Sequence, residues 1–249
     1  MNALIRSEVL KIRSTQVWFW MVLLSVAFTA LGSIGLSYDA SHSDSVNYYA
    51  LFTQSQNAGV ALLVLGLLGL TTEFRHKTIT PTLLATPNRW RMLAGKAASY
   101  VLFSVVFAVL CVLVNFAIVI TWLSIAGVRL EYGHGVAGGV GKAFLSLVLL
   151  GLFGLGLGGI IRNQAAAMVF GIVYLFVLDP LLSFVPGVRK GYAWTPGGAL
   201  RAFTSHGTVE GLPGDVHLPG SLAAGLLLLA WAVALVVLGG RFSLQRDIS

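Results

Sequence analysis

Few residues of this chain are equipped for chemistry. The five histidines, His42, His76, His134, His206 and His217, all fall outside the long apolar runs, and none belongs to an HExxH metal motif. The single cysteine, Cys111, sits inside an apolar run, where it serves packing and can form no intrachain disulfide. The stretch Gly138-Gly139-Val140-Gly141-Lys142-Ala143 approaches a phosphate-binding loop and fails it twice. Val136 stands where the leading glycine belongs, and Ala143 replaces the hydroxyl residue that would meet magnesium. Nucleotide hydrolysis by that route is excluded, and no catalytic cluster takes its place.

What remains is a basic segment with an ordered pattern, running from Glu73-Phe74-Arg75-His76-Lys77 to Arg89-Trp90-Arg91. Within it, Thr80-Pro81 and Thr86-Pro87 repeat one device: a hydroxyl N-cap followed by proline at the first helical position. The pattern predicts a short helix from Pro81 to Ala85. It predicts a second helix that starts at the second pair and climbs through Arg89, Trp90 and Arg91. Such a segment offers a docking surface and no reactive group.

The elements that position it are apolar. Hydrophobic residues make up 57% of the chain, charged residues 10%, and the mean hydropathy is +0.85. A hydrocarbon core of about 30 Å needs roughly 20 apolar residues in a helix. Six such runs are present: 17–36, 51–70, 97–126, 140–161, 165–185 and 222–240. They are continuous rather than alternating with period two, which selects helices over a barrel. The first run is too long for a signal-peptide core and has no small-x-small cleavage site, so it is a retained span. The expected fold is therefore an all-α membrane protein, a single domain over residues 1–249.

Short loops between the runs divide the basic residues unequally. Arg6, Lys11, Arg13, Arg75, Lys77, Arg89, Arg91, Lys96, Arg162, Arg241 and Arg246 lie on one side; Arg129, Lys142, Arg189, Lys190 and Arg201 lie on the other. The positive-inside rule puts the richer side, and both termini, in the cytoplasm. The formal net charge of +7 is this bias, with some attraction to anionic lipid, and calls for no nucleic acid.

Other features grade the spans. In residues 1–15, Ile5, Val9 and Ile12 share a helical face, as in a helix lying along the inner interface; an ordinary basic flank that anchors topology is the alternative reading. Gln54, Ser55, Gln56 and Asn57 open the second span, and Asn115 is a polar residue deep in the third. With Asp179 they are the candidate pathway residues: Gln54, Gln56, Asn57, Asn115 and Asp179. Interhelical hydrogen bonding accounts equally well for the amides. Gly154 and Gly158 form a GxxxG pair for close helix packing. Ala165 to Leu178 spans only about 21 Å before Asp179-Pro180, so the pair is expected to interrupt the fifth span. Asp179 would then cap a second piece that completes the crossing or folds back. No ionisable residue occupies a mid-span position suited to a proton or sodium relay.

The three stretches SEVLKIRSTQVWFW, TTEFRHKTITPTLLATPNRWRMLAGK and GLGGIIRNQAAAMVF together resemble the membrane subunit of ABC-2-type transporters. The resemblance covers nearly the whole chain, and its second stretch is the most specific. It implies an N-terminal elbow helix (1–15), a cytoplasmic coupling loop (73–96) and a re-entrant or external segment (179–220). The ATPase-coupling residues it implies are Glu73, Arg75, Thr80, Pro81, Thr82, Leu83 and Leu84, with Arg162 and Asn163 as a second, smaller contact. It further implies two separate ABC ATPase subunits carrying ATP and magnesium, and a second permease copy or paralogue. No cofactor is expected on this chain. The implied activity is export of a hydrophobic or amphipathic drug, peptide or lipid-like molecule across a bacterial cell membrane. The competing readings are a non-transporting assembly or sensor subunit and a membrane-embedded lipid-modifying enzyme.

Overall fold

The computed structural model describes residues 2–43, 45–76, 78, 88–130, 135–185, 189–205 and 218–245. Every regular element among them is helical. In chain order these are α1 (Asn2–Ser14), α2 (Val17–His42), α3 (Tyr48–Thr53), α4 (Gly59–Arg75), α5 (Arg89–Ala126), α6 (Val136–Ile160), α7 (Gln164–Val173), α8 (Asp179–Phe184), α9 (Pro196–Thr204) and α10 (Ser221–Gln245). A 3₁₀ turn, Gln54–Ala58, joins α3 to α4, and another, Arg189–Trp194, precedes α9. Six helical stretches are long and apolar enough to cross a membrane: Val17–His42, Tyr48–Arg75, Trp90–Ala126, Val136–Ile160, Gln164–Phe184 and Ser221–Phe242. They coincide with the six runs expected from hydropathy. An even number of crossings brings both ends of the chain to one side of the bundle, called here the near end.

At the centre lies α6, packed between α4 and α10. Its glycines make this contact possible. A Cβ on Gly154 would stand 2.2 Å from the Leu63 carbonyl oxygen, and one on Gly158 would stand 2.5 Å from that of Leu67. On the opposite face, a Cβ on Gly239 of α10 would come within 2.4 Å of the Gly156 oxygen. Backbones this close leave no room for side chains, so packing between them replaces the hydrophobic drive that lipid cannot supply.

The outer helix α2 is built inside out relative to a soluble protein. Its buried residues are Ser25, Thr29, Ser33, Ser37 and Ala40, one per turn, while Phe19, Trp20, Leu31 and Tyr38 point outward. Ser25, Thr29 and Ser33 each donate to the carbonyl four residues back, at 2.7, 2.9 and 2.7 Å. These three hydroxyls, satisfied within their own helix, can face the neighbouring α5 without an unpaired donor, whereas Ser37 Oγ is buried with no partner among the described residues.

Two local expectations are corrected. The fifth span is not interrupted at Asp179-Pro180: Gln164–Phe184 runs as one helical stretch of 21 residues. A π-helical turn over Tyr174–Leu178 precedes Pro180, and the Asp179 N–H bonds the Tyr174 oxygen five residues back. The wider turn absorbs the proline, which lacks an N–H and would clash with an α-helical carbonyl. Asp179 is consequently not a cap, because no side-chain cap exists at the start of α8. The third-span helix starts at Arg89, and its cap is Asn88, whose side chain accepts from the Arg91 N–H at 3.1 Å. The expected start at Thr86-Pro87 is displaced because Asn88 already supplies the oxygen that the first turn needs. The predicted helix from Pro81 to Ala85 lies outside the described residues, as do Thr80, Thr82, Leu83, Leu84 and Thr86.

Candidate functional site

The near end carries a buried ionic cluster contributed by three helices. Glu8 of α1 and Glu73 of α4 hold Lys96 of α5 between them: Lys96 Nζ lies 2.7 Å from Glu8 Oε2 and 2.9 Å from Glu73 Oε1. The same ammonium donates to the Gly69 carbonyl at 3.3 Å, which completes its three donors. Lys11, on the rim, reaches Glu8 Oε1 at 2.9 Å and Glu73 Oε1 at 3.2 Å. Two carboxylates and two ammoniums give a formally neutral group, so its burial is compensated within the cluster.

Local sequence explains the placement. Glu8 is one turn before Ile12, and both are buried against the bundle, while Leu10 on the far side of α1 is 59% exposed. The apolar face of α1 is therefore interrupted by one carboxylate, and that carboxylate needs an interior partner. Lys96 follows Met92 and Leu93, both buried, so its side chain enters the interface at only 2% exposure. Burial by itself pushes the Glu8 carboxyl up. The attraction and hydrogen bonds of Lys96 and Lys11 outweigh that penalty and hold it below the usual glutamate range. Glu73 Oε2 finds no donor among the described residues.

Beside the cluster, the last turn of α4 meets the tight turn between the fourth and fifth spans. Arg75 donates to Gln164 Oε1 at 3.1 Å. Arg162 lies over the Phe74 ring, 5.4 Å from its centroid, and donates to the Phe242 carbonyl of α10 at 2.7 Å. Asn163 caps α7 by accepting from the Ala166 N–H at 3.1 Å. Phe74, Arg75, Arg162, Asn163 and Met168 line a recess of about 670 Å³. Of the coupling residues named from the sequence, Glu73, Arg75, Arg162 and Asn163 are thus gathered at one end. Thr80, Pro81, Thr82, Leu83 and Leu84 lie outside the described residues.

The candidate pathway residues do not form one group. Asn115 is fully buried, donating to Ser33 Oγ at 2.8 Å and to the Leu51 carbonyl at 3.0 Å. It ties α5 to α2 and to the end of α3. Gln54 packs on α2, where a Cβ on Gly32 would collide with its side chain. Gln56 and Asn57 line a separate cavity toward the far end. Asp179 is buried, and its Oδ2 accepts from the Tyr192 hydroxyl at 3.0 Å. Burial, followed by the Asp179 charge, pushes the Tyr192 hydroxyl above the usual tyrosine range. Arg201 Nε stands 3.8 Å from the same carboxylate oxygen.

Along the sequence Lys96 is one of the loop cations, and Glu8 has no evident role. One signal was available: a glutamate on the apolar face of a short amphipathic helix must be paired or solvated. The identity of its partner was not. Among the described residues no group of three or more histidine, cysteine, aspartate or glutamate side chains could hold a metal. Comparison with models of known protein families found no match, and comparison with curated proteins found none.

Proposed function

We propose that this chain is the membrane subunit of an ATP-driven exporter of the ABC-2 type, with both termini in the cytoplasm of a bacterial cell. The observation that carries the reading is the junction at the near end. Lys96 pins α1 to the last turn of α4 and the first turns of α5, the helices on either side of the basic loop. Arg75–Gln164 extends the same junction to the turn between the fourth and fifth spans. A load applied to the loop would be shared by α1, α4 and α5 through the short, buried Lys96 contacts, and by α7 through the exposed Arg75–Gln164 hydrogen bond. That is what a subunit driven by a separate motor needs and what a passive connector does not.

In this reading Thr80 to Thr86 is the coupling helix, and two ATPase subunits bring ATP and magnesium. A second copy or a paralogue completes the pathway. The cargo is hydrophobic or amphipathic, consistent with spans bare of mid-membrane ionisable groups.

The test is reconstitution with the cognate ATPase. Replacing Thr80-Pro81-Thr82-Leu83-Leu84 by a Gly/Ser stretch should abolish substrate-stimulated ATP hydrolysis and transport while the membrane bundle keeps its thermal transition. If the ATPase remains bound and fully coupled after that replacement, the exporter reading is wrong.

A further inference from the structure

At the far end the bundle contains a cavity of about 440 Å³ between α2, the 3₁₀ break before α4, α6, the π turn and α9. Phe28, Leu150 and Phe176 give it apolar walls, and Gln56, Asn57 and Arg201 give it a polar floor. Phe28 and Phe176 are themselves exposed, at 39% and 59%, on the outward surfaces of the first and fifth spans. The mouth of the cavity therefore opens where lipid would lie.

Two polar groups in this cavity have hydrogen-bonding capacity to spare. Arg201 stacks its guanidinium over the Tyr192 ring at 5.9 Å, and its nearest carboxylate oxygen, on Asp179, is beyond hydrogen-bond reach at 3.8 Å. Asp179 gives that oxygen to Tyr192 and does not line the cavity. None of the five guanidinium donors reaches a hydrogen-bond acceptor among the described residues. Gln56 Oε1 is buried with no donor among them. A buried carbonyl short of a donor is costly, and a partly exposed guanidinium whose ion-pair partner stands at 3.8 Å keeps its N–H donors for another acceptor. A planar guanidinium fork matches phosphate oxygens.

We infer that this cavity binds a phospholipid whose headgroup is anionic and carries a hydroxyl donor. Its phosphate sits on Arg201, its hydroxyl donates to Gln56 Oε1, and its acyl chains leave between Phe28 and Phe176. The cavity volume suits a headgroup and the first carbons of the tails. The inference does not require the exporter reading, because binding is a property of the purified chain without any ATPase.

The test is lipid retention by the purified chain in detergent, followed by native mass spectrometry. The probes are phosphatidylglycerol (anionic, with hydroxyls), phosphatidylcholine (zwitterionic, with no headgroup donor) and free glycerol phosphate (no tail). Phosphatidylglycerol should be retained roughly ten- to hundredfold better than phosphatidylcholine. Arg201→Gln should erase that preference, and Gln56→Leu should reduce it without altering charge. Should Arg201→Gln unfold, Asp179→Asn combined with Arg201→Gln removes both charges and must still erase the preference. Equal retention of the two lipids, or an unchanged preference in the Arg201 and Gln56 variants, overturns the inference. So does displacement of phosphatidylglycerol by glycerol phosphate at matched concentration, which would mark a site for the free anion.

Discussion

Glu8 and Lys96 are separated by 88 positions in the chain, yet their charged atoms meet at 2.7 Å in the interior of the near end. The contact closes a loop through α1, α2, α3, α4 and α5. It is also the one place in the described structure where a nearly inaccessible ammonium is held by two carboxylates from different helices.

Removing the ammonium should therefore cost more than removing a surface charge. Lys96→Met removes the buried cation and leaves Glu8 and Glu73 only the half-exposed Lys11 between them, and the expected loss is about 3–5 kcal/mol. Adding Glu8→Gln and Glu73→Gln to that variant should recover much of it, because the cluster then buries no charge and Lys11 is already half exposed. Thermal unfolding in detergent, followed by circular dichroism, distinguishes the two. A Lys96→Met variant as stable as the parent would show that the cluster is solvated in the membrane.

Acid should weaken the same junction. The Glu8 carboxyl is held below its ordinary value of 4.5, so in the folded chain it binds its proton less readily than in the unfolded one. Its stabilising contribution is then fully present above about pH 4.5 and fades as pH falls through the lowered folded value. Glu8→Gln should flatten the acid limb of a stability-versus-pH curve and leave its slope between pH 6 and 8 unchanged. An altered slope near neutrality would point to a different titrating group.

Glycines with different surroundings should respond oppositely to substitution. Gly154→Val places two methyl groups against the Leu63 backbone and should cost about 1–3 kcal/mol or more, as overpacking does. Gly138, near the start of the same helix, has open space where its Cβ would be. Gly138→Ala should be neutral or stabilising by up to about 1 kcal/mol, the gain in helix propensity. If the two variants unfold together, α6 does not make the close contact with α4.

The far end offers a hydrogen-bond test. Tyr192→Phe removes the donor to Asp179 Oδ2, and Oδ1 of that carboxylate already lacks a partner. An unpaired buried acceptor costs about 1–3 kcal/mol. A double-mutant cycle with Asp179→Asn should show coupling between the two sites. Strict additivity would mean the pair contributes nothing to stability.

How much of this was legible beforehand depends on the distance over which each feature is decided. The six spans could be read directly, since a helix long enough to cross a membrane is dictated by the hydropathy of about twenty neighbouring residues. The Gly154/Gly158 contact was legible for the same reason: its spacing puts both glycines on one face of one helix. Asp179-Pro180 was misread as a break, because proline rules assume α-helical hydrogen bonding and the π turn at Tyr174–Leu178 supplies a different register. Arg75, Arg162 and Asn163 could be singled out as loop residues, but their convergence around Phe74 and Gln164 depends on how three helices end together.

The sequence by itself determined an all-helical chain with six apolar spans, a basic segment between the second and third, and a glycine-lined central helix. Those properties follow from local composition and periodicity. Only the tertiary structure decided that Lys96 is an interior cation shared by Glu8 and Glu73, and that Gln56 and Arg201 face one cavity. Charge pairing in a low-dielectric interior is fixed by which helix ends meet in space. No pattern along the chain encodes the identity of a partner tens of residues away.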